Sequence, residues 1–139
     1  MRKLLAILLL TSIVLKAQTN YNIDTSYTPK SVYDKEIKKY PFISLAQPRG
    51  YSNVLEKKEI IYSKIKDREL HLDAYYTSHK NPAIVILHGG GWKSGNKSQM
   101  EIFAQEMASK GFSCFTIEYR LLKEANYHAD IFDPKNPIQ

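Results

Sequence analysis

The residues of this chain that could do chemistry stand together in His88-Gly89-Gly90-Gly91-Trp92, directly after the aliphatic run Ala83-Ile84-Val85-Ile86-Leu87. Three consecutive glycines allow φ > 0 and leave no Cβ in the way, so successive backbone N–H groups can turn into one cleft. Donors aimed at a single point hold the negative charge that grows on a carbonyl oxygen as its carbon becomes tetrahedral. In open α/β sheets, ligand sites gather beyond the carboxyl ends of strands, where a loop following residues 83–87 would stand. A tight turn whose glycines only ease packing is the plain alternative, and the flanking His and Trp weigh against it.

A strand, a glycine-rich loop and a helix also frame phosphate-binding loops. That motif needs Lys directly after its second Gly, so that the ammonium reaches the phosphates. In Gly90-Gly91-Trp92-Lys93-Ser94-Gly95-Asn96-Lys97-Ser98, Asn96 holds that place, and Trp92 and Lys93 would crowd the cradle. The remaining reactive side chains offer less. Cys114 sits within an apolar run with no paired His in view, which marks a core thiol rather than a nucleophile. His71 and Asp73 share one face of a strand pattern; two ligands make no metal site, so a surface pair is expected. His79 reads as a loop residue, and Glu56, Lys57, Lys58 and Glu59 as a solvated face. The sequence carries no cofactor signal.

A glycine loop needs a scaffold. Glu59-Ile60-Ile61-Tyr62 is β-prone, and Leu70, Leu72 and Ala74 alternate with Glu69, His71 and Asp73 as in a half-buried strand. Lys66-Asp67-Arg68 predicts the turn of an antiparallel pair. The run at 83–87 suits a strand buried on both faces. Ser98 with Glu101 predicts a capping box opening a helix over residues 98–110. Met100, Phe103, Ala104 and Met107 recur at helical spacing, and Gly111 is placed to end that helix. Residues 112–117 form a second buried strand. Strand, loop, helix and strand in this order predict a right-handed parallel crossover, so the fold class is α/β.

The chain has 139 residues, enough for one domain, and 43% hydrophobic with 24% charged residues excludes wholesale disorder. A formal charge of +6 invites a nucleic-acid partner, but residues 1–17 carry Arg2, Lys3 and Lys16 and no acid. No compact basic patch survives in the remainder, and nucleic acid is not an expected partner. Those 17 residues read as a signal peptide: a basic start, an apolar stretch over residues 4–15, and Ala17 at a plausible cleavage point. The stretch falls short of the roughly 20 residues a membrane-spanning helix needs. Export, with no membrane span after cleavage, is the expectation. Residues 18–52 are expected to be an extended lead-in interrupted by Pro29, Pro41 and Pro48. Its tyrosines Tyr21, Tyr27, Tyr33, Tyr40 and Tyr51 anchor it to the domain at residues 53–139 rather than stack on carbohydrate.

The His-Gly-Gly-Gly-Trp loop resembles the oxyanion loop of α/β-hydrolases, most of all the esterases and lipases related to hormone-sensitive lipase and to acetyl-xylan and feruloyl esterases. Glu118-Tyr119-Arg120-Leu121 is similar to the Tyr-Arg-Leu that closes the fourth strand there, and Leu70-His71-Leu72-Asp73-Ala74-Tyr75 to an earlier strand of that family. The resemblance implies the N-terminal portion of an α/β-hydrolase sheet: an antiparallel first pair, then parallel strands with a crossover helix. The fourth strand would insert between the second and third, leaving residues 83–87 outermost. Gly90 and Gly91 would supply the oxyanion N–H groups, with His88, Gly89 and Trp92 shaping the loop. Arg120 would form a structural ion pair with Asp133.

That family places its nucleophile in a later Gly-x-Ser-x-Gly elbow, followed by an acid and a His. No such elbow occurs in these residues. Tyr127-His128-Ala129 replaces the usual Tyr-Pro-Ala, and Pro134 and Pro137 fall where the next helix should run. The expectation is therefore an exported carboxylic-ester hydrolase truncated before its nucleophile elbow and inactive as this chain alone. Its partner would be a small-molecule or carbohydrate ester. The other reading is a non-catalytic remnant or interaction module on the same fold.

Overall fold

The structure is a computed structural model describing residues 23–125. Leu55–Ile65 (β1) and Arg68–Tyr76 (β2) pair antiparallel, joined by Lys66 and Asp67 alone. Arg68, expected in the turn, is instead the first residue of β2 and pairs with Ile65. Lys66, at φ +55°, absorbs the reversal, so two residues suffice. Ala83–Leu87 (β3) runs parallel to Ser113–Ile117 (β4), and β4 is antiparallel to β2. Among the described residues the sheet order is β1-β2-β4-β3, so β4 does insert between β2 and β3.

Helix Glu101–Ser109 (α2) links β3 to β4 and covers one sheet face. Ala104 and Ala108 are fully buried there against Tyr75, Ile86 and Cys114. Two small side chains let the helix sit close to the sheet, and burying a residue such as Ile86 stabilises by about 1.5–3 kcal/mol. Leu72, Ala74 and Ile117 form a second cluster with Ile60, Tyr62 and Phe115. The structure corrects the expectation that residues 83–87 are buried on both faces. Ile86 is buried, whereas Val85 is 41% and Leu87 49% exposed. Within the described residues β3 has one strand neighbour, and α2 lies on one side of it.

The start of α2 differs from the expected capping box. A 3-10 turn at Lys97–Met100 precedes the helix, and Asn96 caps that turn, accepting the Ser98 N–H at 2.9 Å. The Ser98 hydroxyl also donates to Asn96, which occupies the group that was to cap the helix. The end is as the glycine foretold. Gly111 adopts φ +92°, its N–H reaches the Ala108 carbonyl, and the Phe112 N–H reaches Met107.

The lead-in is not extended throughout. Thr28 caps a helix at Pro29–Glu36 (α1), exchanging hydrogen bonds with Ser31. Pro29 occupies the first turn, where a missing N–H costs nothing, so it starts an element rather than interrupting one. The arm lies along the outer face of α2, where the Tyr51 hydroxyl bonds Glu106. Between them lies a cleft of about 770 Å³ lined by Val32, Tyr33, Ile43, Leu45, Ile102 and Phe103. Phe103 faces this cleft and is half exposed, which removes it from the core stripe read at helical spacing. Residues 1–17, expected to be a signal peptide, and Tyr21, His128, Asp133, Pro134 and Pro137 lie outside the described residues. No helix among the described residues is long and apolar enough to cross a membrane.

Candidate active site

β3 ends at Leu87, and the chain turns at once into the glycine loop. His88 is buried, its ring stacked on Tyr119 with centroids 4.4 Å apart and planes 15° from parallel. The Tyr119 hydroxyl donates to the His88 carbonyl at 2.8 Å. The His88 Nδ1 lies 2.9 Å from the Gly89 carbonyl oxygen, which fixes the proton on that nitrogen. Burial holds the imidazole pKa below its ordinary value, so the ring stays neutral. It fills space beneath the loop.

The glycines do different work. Gly90 adopts φ +127°, and a Cβ there would stand 1.8 Å from the Ser94 carbonyl oxygen. Its own carbonyl faces inward and accepts the Lys93 and Ser94 N–H groups at 3.2 and 3.3 Å. Gly91, at φ +60°, has open space where a Cβ would point. Among the described residues, the amides of Gly90 and Gly91 donate to no acceptor. Trp92 also adopts φ +60°, a left-handed conformation that a bulky residue seldom takes. Its carbonyl accepts the Leu122 N–H at 2.8 Å, which ties the loop to the chain leaving β4. The loop is thus braced through its carbonyls and leaves two amide donors unclaimed among the described residues.

A charged cluster that the sequence reading missed supports the far end of the loop. Asp73, expected in a surface pair with His71, is buried, because it points beneath α2 and meets Lys97 at 2.7 Å. Lys97 is buried too and reaches Glu59, which therefore belongs to this cluster rather than to a solvated face alone. Glu59 takes φ +56° at a register shift in β1, and its N–H donates to Asp73 at 2.9 Å. Burial opposes the Lys97 charge, but hydrogen bonds to Asp73 and Glu59 outweigh it and hold its pKa above the usual lysine value. Alternating polarity in β2 concealed Asp73; a Lys shortly after the glycine loop was the available clue to its partner. Gly95 was missed as well: it is buried at φ +103°, and a Cβ there would lie 2.5 Å from the Gly89 carbonyl oxygen.

His71 is half-buried, its Nδ1 3.6 Å from Glu118. Cys114 is wholly buried, and burial pushes its thiol pKa up, as suits a core residue. Arg120 follows Tyr119 in the chain leaving β4, and its expected partner Asp133 is outside the described residues. Among those residues no three of His, Cys, Asp or Glu converge to hold a metal.

A mixed sheet whose inserted fourth strand leaves the third on the outside, with a glycine loop at that strand's carboxyl end, is the front of an α/β-hydrolase. Residues 70–139 match the BD-FAE family, and the chain belongs to that family of α/β-hydrolase esterases. Esterase B from Lactobacillus rhamnosis is similar in fold, with a TM-score of 0.56 at 23% identity over 78% of this chain and 34% of its own. Thermogutta terrifontis esterase 2, phosphonylated by cyclosarin, gives 0.53 at 26% identity over 58% of this chain and 33% of its own. The same esterase with propionate bound gives 0.54 at 24% identity over 63% and 34%. The chain thus spans about a third of the length of these esterases. No curated protein matches it in sequence.

Proposed function

We propose that these residues are the oxyanion-binding part of an exported serine esterase, and that Gly90 and Gly91 donate the two N–H groups. The observation that carries the reading is the loop's polarity: the Gly90 carbonyl is tied inward while both amides are left without an acceptor among the described residues. In the reaction a Ser oxygen from a later elbow attacks the ester carbonyl, and a His takes its proton. The carbonyl oxygen becomes an oxyanion held by the two amides, then re-forms its double bond as the alcohol leaves with the proton. Water repeats the cycle on the acyl-enzyme. The nucleophile, acid and base belong to sequence beyond residue 139, and residues 1–17 direct export.

Reading the nucleotides beyond codon 139 for Gly-x-Ser-x-Gly, then a separated Asp and His, is the first test. The longer protein should hydrolyse p-nitrophenyl acetate and lose that activity to a serine-directed phosphonate. Acetylated sugars then test the carbohydrate reading. A longer protein that holds these residues and turns over no ester would overturn the proposal. So would saturable, phosphonate-sensitive turnover by the 139 residues alone, because the nucleophile would then lie within them.

A further inference from the structure

We infer that the arm at residues 24–27 and the side chain of Gln99 position the glycine loop; the catalytic part of this inference rests on the function proposed above. The arm lies outside the residues that match the family, which begin at residue 70. Yet it touches the loop at both ends. The Gly95 N–H donates to the Asp24 carbonyl at 2.8 Å. Gly95 is buried, so without that carbonyl its N–H would be left unpaired away from water. The Tyr27 ring approaches the other end, 3.5 Å from where a Gly89 Cβ would stand.

Gln99 joins the two ends. Its Nε2 donates to the Tyr27 carbonyl. The same nitrogen lies 2.4 Å from the Cβ position of Gly95, and its Oε1 3.9 Å from that of Gly89. The amide therefore sits in the crook of the loop, held from behind by the arm. Asp24 and Tyr27 contribute carbonyl oxygens that side-chain replacement cannot remove, whereas Gln99 can be changed alone. These are positioning residues: they set where the Gly90 and Gly91 amides point without touching the reacting atoms.

Trp92 is the chain's only tryptophan and reports on the loop directly. In the 139-residue chain, Gln99→Ala and Gln99→Glu should raise acrylamide quenching of Trp92 by at least about twofold through local opening. Tyr51→Phe removes another of the arm's anchors, on the outer face of α2, and should leave quenching unchanged. In the ester-hydrolysing protein, both Gln99 variants should lower kcat about ten- to a hundredfold with KM nearly constant, as misplaced donors do. Amide exchange on the unaltered chain needs no variant: Gly95 should be protected like β4, while Gly90 and Gly91 exchange freely. Free exchange at Gly95, unchanged quenching in the Gln99 variants, or an equal rise in Tyr51→Phe overturns the positioning role. Unchanged kcat with a loosened loop overturns its catalytic consequence. A wild-type protein that hydrolyses no ester sinks the proposed function instead, and quenching and exchange still decide the brace.

Discussion

The loop at residues 89–92 and the cluster around Lys97 lie a few residues apart and treat polarity in opposite ways. The loop ties one carbonyl inward and leaves the Gly90 and Gly91 amides unclaimed among the described residues. The cluster buries a lysine and an aspartate and engages them with each other. One region leaves hydrogen-bonding capacity unused among the described residues, as the proposed oxyanion role requires; the other spends it internally to fix the chain that carries the first. A loop of bare backbone has little to hold its own shape, so anchoring has to come from its flanks.

The largest effect should come from breaking the anchor. Lys97→Met leaves the Asp73 carboxylate buried without its partner and should cost about 3–5 kcal/mol, read by urea unfolding. Asp73→Asn with Lys97→Met should recover much of that loss, because no charge is stranded. A single-variant cost below 1 kcal/mol would mean that the pair is no anchor, and the contrast with the loop would collapse.

Next comes the loop itself. Gly90→Pro removes one donor, fixes φ near −65° and brings bulk toward Ser94. In a longer protein with the proposed esterase activity, the loss should be about 2.7–4 kcal/mol of transition-state stabilisation, with the sheet still folding cooperatively. An unchanged kcat would reduce the loop to a turn. Trp92→Asn should change stability by less than about 1 kcal/mol, since asparagine tolerates the left-handed backbone that strains tryptophan. A cost of about 3–5 kcal/mol, the figure for a core tryptophan, would show that the indole is a packed support of the loop.

The smallest effect is on pH dependence. Burial lowers the His88 pKa below its ordinary 6.5, so the unfolded chain binds that proton more readily than the folded one. The contribution is fully present above pH 6.5 and is lost as pH falls toward the folded value. Melting temperature should therefore decline from pH 7.5 to 5.5, and His88→Asn should flatten that decline. An equal slope in both proteins would remove His88 as its source.

The sequence displayed the scaffold and the loop because both depend on local pattern. Alternation marked β2, a bounded aliphatic run marked β3, and Gly111 marked the end of α2. Burial did not follow so simply. Val85 and Leu87 are as apolar as Ile86, but they lie on the opposite strand face from the one α2 covers, and only the tertiary fold decides that they are exposed. Asp73 looked like a surface residue because its partner Lys97 is 24 positions away, in the turn before α2, and no local pattern reports that pairing. Pro29 was read as a breaker when Thr28 before it was a cap. Long-range pairing and the choice between adjacent caps were what the linear text withheld.

The insertion of β4 between β2 and β3 also dictates an order of events. β3 is synthesised first, but its strand partner among the described residues is β4, whose Ile117 pairs with Leu87 about thirty residues later. While the chain emerges, the β1-β2 hairpin can close on its own, whereas the aliphatic segment 83–87 must wait unpaired. The glycine loop follows Leu87 and leans on Tyr119 and Leu122, so it cannot take its final shape until the chain beyond β4 has arrived. Such waiting segments are where chains of this kind aggregate or recruit chaperones. Placing β4 is thus also the step that completes the loop's contacts with Tyr119 and Leu122.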